Sequence, residues 1–305
     1  MAEDVIVGCV SQADGCDVDG LLLSMLKMRR RKFINRFPQV VCFAFDHIST
    51  EIAVRGRFER AELEFLSSQI FSRMRSRRVC LDVGANIGNH SLTFAEHFAR
   101  VLAFEPNPRT FKLLAINAEL ARNVVPYRLG ASNRKGTITA YQDALNLGAT
   151  TTDRGIAEYR AQNQGVISTV QFDVDRLDCV LSGPDLHQVD FIKLDVEGQE
   201  AAALEGMEAI LQVSDPIVAM EALVEIFEDG KLPPVEILKA HGYTHFYSLE
   251  GARRDIAGLP RFIGKPYKRV RKLLGSGGEQ YALKKLDTVM PRYHRMLICS
   301  KREVI

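Results

Sequence analysis

The sequence has no tryptophan, no apolar run of membrane-spanning length and no paired cysteine motif among its 305 residues. Its longest clear apolar run, residues 40–45, is far short of the roughly 18 residues that mark a transmembrane helix. The six cysteines (Cys9, Cys16, Cys42, Cys80, Cys179 and Cys299) form no C-x-x-C pair, and none stands at metal-ligand spacing from a histidine. Irregular gaps of this kind indicate reduced thiols in a cytoplasmic protein, not a disulfide framework. The first 20 residues carry five acidic side chains and no basic one, which does not read as a secretory signal. Charge of one sign is also lacking: 40 basic residues against 38 acidic give +2, a total that points to neither nucleic acid nor a membrane. What is present is ordinary globular composition, 46% hydrophobic and 26% charged, so a core can form without staples.

Two regions follow from the patterning. Residues 1–78 read as an N-terminal helical extension. It has a basic helix over 21–36 ended by the Phe37-Pro38 step, a short strand at 40–45, and a helix over 60–75 with apolar residues at Leu63, Leu66, Ile70 and Met74. From residue 79 short apolar strands alternate with helices. Strands are expected at 79–83, 101–104, 124–128, 191–194 and 217–220, with helices at 90–98, 109–121, 199–211 and 235–241. A strand pair at 243–249 and 293–300 closes the domain. This alternation means an α/β fold, a mostly parallel sheet with helices on both faces and an antiparallel last strand. Residues 136–176 read as a β-rich excursion. Residues 253–292 read as a basic insertion with 11 basic and three acidic side chains. Split at these boundaries, residues 79–251 carry 13 basic and 24 acidic side chains and residues 252–305 carry 14 and four. The near-neutral total is a cancellation.

The first strand-to-helix turn carries the chemistry. Asp82-Val83-Gly84-Ala85-Asn86-Ile87-Gly88-Asn89-His90 runs from a buried strand through two glycines into a helix, at the sheet edge where α/β proteins bind ligands. The dinucleotide fingerprint G-x-G-x-x-G is not met, because Asn86 stands where its second glycine would be, and this disfavours a dehydrogenase. A strand-end Asp followed by G-x-x-x-G suits a cofactor with a cationic centre and is the pattern of S-adenosylmethionine sites. Glu105 ends the second strand 21 residues after Gly84, the place of an acid that accepts ribose hydroxyls, and Pro106-Asn107-Pro108 follows.

These residues resemble the FkbM family of S-adenosylmethionine-dependent methyltransferases. The resemblance rests on CLDVGANIGNHSL with AFEPNP, on Asn146-Leu147-Gly148-Ala149-Thr150, on Arg176-Leu177-Asp178, and on FIKLDVEGQE with the following Leu204-Glu205-Gly206. It covers about residues 79–221. It implies the Rossmann-like class I methyltransferase fold, with a seven-stranded sheet, and methylation of a hydroxyl on a sugar, glycan, glycolipid or secondary metabolite. By position, Asp82, Gly84, Asn86, Gly88, Glu105 and Asn107 would hold the cofactor, with Ala85, Asn89 and Pro106 in the same turns.

A hydroxyl acceptor must lose its proton, which calls for a base or a metal. Asp195 and Glu197 follow the fourth strand and Glu221 ends the fifth, so all three are expected at the cofactor edge. Together they also form an all-oxygen set compatible with Mg²⁺. Lys193 shares a strand face with Asp195 and reads either as catalytic or as an ion-pair partner of Glu197 or Glu221. Glu200, in a first helical turn, reads as a cap or a catalytic acid. His90 either shuttles a proton or packs on the cofactor. The basic 253–292 segment reads as a solvated loop, or as a contact for an anionic acceptor, and is the sole support for an RNA methyltransferase; the N-terminal region has no RNA-binding signature. The basic run at 28–32 is compatible with contact at a membrane surface. A non-catalytic interaction protein is disfavoured by intact Asp82, Glu105 and Asp195.

Overall fold

The computed structural model describes residues 18–143, 150–151, 167–181, 183, 185–222, 230–251 and 281–304. Before the first sheet strand come α1 (Val18–Phe33), α2 (His47–Arg55) and α3 (Arg60–Phe65). Helix α3 continues through a π turn (Leu66–Ile70) and a 3₁₀ turn (Phe71–Arg73), so the expected helix over 60–75 is helical as far as Arg73 but not regular. The expected strand at 40–45 is not a strand. The amide side chain of Asn117 takes both backbone groups of Val41, accepting from its N–H at 2.7 Å and donating to its C=O at 2.9 Å, so this stretch has no ladder to join.

The main sheet uses β1 (Val79–Val83), β2 (Arg100–Phe104), β3 (Val124–Tyr127), β8 (Val189–Leu194), β9 (Ile217–Ala222), β10 (His245–Gly251), β11 (Tyr281–Leu286) and β12 (His294–Ser300). Its order is β11-β10-β12-β9-β8-β1-β2-β3. The five strands from β9 to β3 are parallel, and β12 lies antiparallel between β9 and β10. This is the expected α/β order with its reversed last strand. An eighth strand, β11, is added at the edge antiparallel to β10, and it arises inside the segment read as a basic insertion. The central strands β1 and β8 are buried on both faces, which is why they read as continuous apolar runs.

Helices α4 (Asn89–Phe94) and α5 (Pro108–Ala118) follow β1 and β2, and α6 (Leu177–Val180) precedes β8. Helices α7 (Glu200–Glu205) and α8 (Glu208–Val213) then lead to β9, and α9 (Pro233–Ala240) to β10. The single helix expected over 199–211 is two. Gly206 sits against Ser132, whose carbonyl oxygen a Cβ would approach to 1.9 Å, and the chain bends there. One core layer packs the α7, α8 and α9 residues on the sheet; the other packs Leu63, Leu66, Ile70 and Phe71 with Phe94, Phe98 and Phe191. The N-terminal region is thus tied into the fold. Glu62 of α3 is 1% exposed and accepts from Tyr281 of β11 and from Arg295 of β12.

The β-rich excursion forms a second sheet, β4 (Gly130–Ala131), β5 (Gly136–Asp143), β6 (Thr150–Thr151) and β7 (Ile167–Asp175), in the order β4-β7-β5-β6. The Asn146–Ala149 part of the resemblance and residues 253–280 of the basic segment lie outside the described residues.

Candidate active site

Strand β1 stops at Val83, and Gly84 turns the chain with φ +81. A Cβ on Gly84 would stand 1.8 Å from the carbonyl oxygen of Asp195, so no side chain fits where the ends of β1 and β8 meet. The Gly84 and Ala85 N–H groups both donate to the Phe104 carbonyl, each at 2.9 Å, which draws the end of β2 to the same point. Asn86 then takes a left-handed conformation, φ +50, which asparagine tolerates better than most residues. Its N–H donates to Glu105 Oε2 at 3.0 Å, and the Asn107 N–H donates to Oε1 at 2.8 Å. The Glu105 carboxylate is fixed from both sides and only 8% exposed. Burial pushes its pKa up to about 7, against the pull of those two backbone N–H groups.

A cavity opens over these turns. Of the residues expected to hold the cofactor, Gly84, Ala85, Asn86, Asn89, Glu105 and Pro106 line it, whereas Asp82, Gly88 and Asn107 do not. Asp82 is fully buried. Its Oδ2 accepts from Ser91 Oγ at 2.6 Å, and its Oδ1 has no hydrogen-bond partner. Gly88 precedes α4, and Asn107 caps α5 by accepting from the Arg109 N–H at 3.0 Å. The Asn89 amide pairs with the backbone of Phe58, accepting from its N–H at 3.1 Å and donating to its C=O at 3.0 Å, so Asn89 also holds the N-terminal region against the turn.

Among the expected catalytic residues, His90, Lys193, Asp195 and Glu197 line the cavity and Glu221 does not. Glu221 is nonetheless next to Asp195. Leu194 and Met220 are register partners in neighbouring parallel strands, and the two acids directly follow them. Lys193 is the register partner of Asp82 and shares a face with Asp195. Its Nζ donates to Asp195 Oδ2 at 2.9 Å and lies 3.9 Å from Asp82 Oδ1. Burial alone would lower the pKa of this ammonium, but Asp195 and Asp82 outweigh it and raise it. Lys193 is therefore a fixed cation paired with Asp195, not with the Glu197 or Glu221 expected as ion-pair partners.

Burial, followed by the charge of Asp195, pushes the Glu221 carboxyl up to about 7, while the Tyr293 hydroxyl donates to its Oε1 at 2.7 Å. Glu200 takes the capping role: its Oε1 accepts from the Val196 and Gly198 N–H groups at 3.3 Å. Glu197 is exposed, on a left-handed turn with φ +53. The Mg²⁺ expectation finds no support among the described residues. Among the described residues no three acidic, histidine or cysteine side chains are grouped to hold a metal. The Lys193 ammonium supplies positive charge beside Asp195.

Three contributions escaped the sequence reading. Glu59, with φ +48 at the start of α3, places its Oε2 3.2 Å from His90 Nε2, close enough for an ion pair but off the hydrogen-bond direction. Burial would raise the Glu59 pKa, but His90 and Lys193 lower it overall. Ile48 and Phe58 of the N-terminal region line the cavity, as do Ile138, Phe172 and Val174 of the second sheet. No motif marks any of these.

Asn117 joins the two halves. Besides Val41, it donates to the Ile87 carbonyl at 2.7 Å, and it is 1% exposed. Asn117→Ala removes three hydrogen bonds and orphans their backbone partners. The expected loss is about 2–3 kcal/mol of stability, read as a lower denaturation midpoint, and an unchanged midpoint would refute the clamp.

A sequence profile of the methyltransferase FkbM domain matches residues 82–247. Hexuronic acid methyltransferase AglP of Haloferax volcanii is 34% identical over 156 residues, covering 50% of this chain and 60% of that protein. Methyltransferase 1 of Beauveria bassiana is 28% identical over 172 residues, covering 49% and 69%. The chain therefore spans about 60% of the length of AglP. Among solved structures, methyltransferase FkbM from Methylobacillus flagellatus KT aligns with a TM-score of 0.39 at 15% identity, over 76% of this chain and 56% of that one. No described helix is long and apolar enough to cross a membrane. With more than half its length matched by the profile, from the strand-end Asp82 through β8 and β9 to Tyr247, the chain belongs to the methyltransferase FkbM domain family.

Proposed function

We propose that the protein is an S-adenosylmethionine-dependent O-methyltransferase acting on a sugar hydroxyl. The observation that carries this reading is Glu105, a cavity-lining carboxylate whose two oxygens are each fixed by a backbone N–H. Each oxygen can still accept a second hydrogen bond, which fits the paired hydroxyls of a ribose. The apolar Ile138, Phe172 and Val174 offer the same cavity a wall for a flat base. The bound cofactor would supply an electrophilic methyl group for in-line displacement, the new O–C bond forming as the S–C bond breaks. Glu221 takes the proton of the acceptor hydroxyl; a base whose pKa lies near neutrality suits that task. The Lys193–Asp195 pair holds the edge between them and positions the acceptor.

AglP, by its name, methylates hexuronic acid, so a hexuronic acid-terminated oligosaccharide is the first acceptor to test. Incubation with methyl-labelled S-adenosylmethionine should give an O-methylated sugar by mass spectrometry, with no label in total RNA. Label in RNA alone would replace this reading with the RNA methyltransferase. Binding of NAD without binding of S-adenosylmethionine would remove both.

A further inference from the structure

Eight of the 13 large apolar side chains exposed among the described residues fall between positions 21 and 54. The foremost are Leu21 at 64%, Leu22 and Leu23, Met28 at 67%, and Phe45, which is 99% exposed. Helix α1 is sorted along its length. Its first two turns carry the leucines, and its last turn carries Arg30, Arg31 and Lys32, all three exposed. At 1.5 Å per residue, residues 21–28 make an apolar-rich tip of about 10 Å ahead of the basic turn. Phe45 projects from the turn before α2 with a left-handed backbone, φ +64, a conformation bulky residues avoid.

We infer that the Leu21–Met28 tip, the basic turn Arg30–Lys32 and Phe45 together form a docking surface for an anionic lipid membrane. Charge decides the occupant. Residues 18–36 hold six basic side chains and one acidic one, Asp19. A second copy of this surface would meet it with the same charge, whereas anionic headgroups complement it. The surface is tied to the cavity: α1 packs on α2, Ile48 of α2 lines the cavity, and Asn117 and Asn89 clamp the chain on either side of α2. Docking would bring that cavity to acceptors held at a membrane surface. The binding itself does not depend on which reaction the site performs.

The test is flotation of the full chain with vesicles of phosphatidylcholine alone and with vesicles containing about 30% phosphatidylserine. The protein should float with the anionic vesicles, less so as salt is raised, and stay behind with the neutral ones. Arg30→Gln with Arg31→Gln should weaken partitioning about thirtyfold, at roughly fivefold for each basic residue lost. Leu22→Ser with Leu23→Ser should weaken it at least about tenfold with little change in melting temperature, since both side chains are more than half exposed. Three results would overturn the proposal: wild-type protein that fails to float with anionic vesicles, equal flotation with neutral ones, or a dimer by light scattering that the leucine substitutions abolish without any vesicle binding. The last would make the surface a contact between copies.

Discussion

Glu221→Gln is expected to lower turnover by about a hundredfold to ten-thousandfold, the usual worth of a positioned base, while cofactor affinity stays within about twofold. Glutamine keeps the shape and can still accept from the Tyr293 hydroxyl, so the site remains assembled. What it loses is the ability to take a proton. The wild-type rate also carries a signature. Glu221 must be ionised to act, and its pKa of about 7 means that the rate falls about tenfold for each pH unit below that value. In Glu221→Gln, measured at saturating cofactor, this acidic limb disappears. Asp195→Asn is the control. Lys193 holds Asp195 at 2.9 Å as an ion pair, so its replacement should raise KM more than it lowers kcat. If Asp195→Asn removes the acidic limb and Glu221→Gln leaves it, the base is Asp195.

Glu105→Ala should weaken S-adenosylmethionine binding more than about a hundredfold by calorimetry, since two hydrogen bonds to a charged acceptor at about 1.5–3 kcal/mol each are lost. Alanine also orphans the Asn86 and Asn107 N–H groups, so Glu105→Gln, which keeps acceptor capacity for one of them, separates binding from folding. Affinity unchanged in both variants would reject the ribose role. The protein should also bind cofactor about tenfold more weakly at pH 6 than at pH 8, because a proton on Glu105 competes with the donors it must accept. The same group has the opposite effect on the ligand-free fold. Its folded pKa of about 7 exceeds its ordinary 4.5, so the native state holds the proton more tightly than the unfolded chain does. Its contribution to stability is greatest below 4.5 and falls as pH rises through that window. Cofactor binding and ligand-free stability thus move in opposite directions between these two values, a pairing that a purely structural Glu105 would not show.

Seven of the eight main-sheet strands, the Gly84 turn and Glu105 were legible in the sequence because their causes are local. A doubly buried strand must be apolar along its length, a left-handed turn pressed on a neighbouring carbonyl must be glycine, and an acid ending the next strand must stand beside that turn. The family followed from several such local signals in order. Tertiary structure decided what depends on distant partners. Lys193 could be placed on a face, but only the β1–β8 register set it beside Asp82 and against Asp195, and so made it a fixed cation. The stretch at 40–45 looked like a strand by composition. Asn117, 76 residues away in sequence, removed its ladder by taking both Val41 groups. Glu59, Phe58 and the wall of Ile138, Phe172 and Val174 reached the cavity the same way. Single side-chain contacts across long loops leave no period or spacing in the chain, so the sequence determined the fold and its cofactor edge, and the closing of that edge into a cavity was decided in three dimensions.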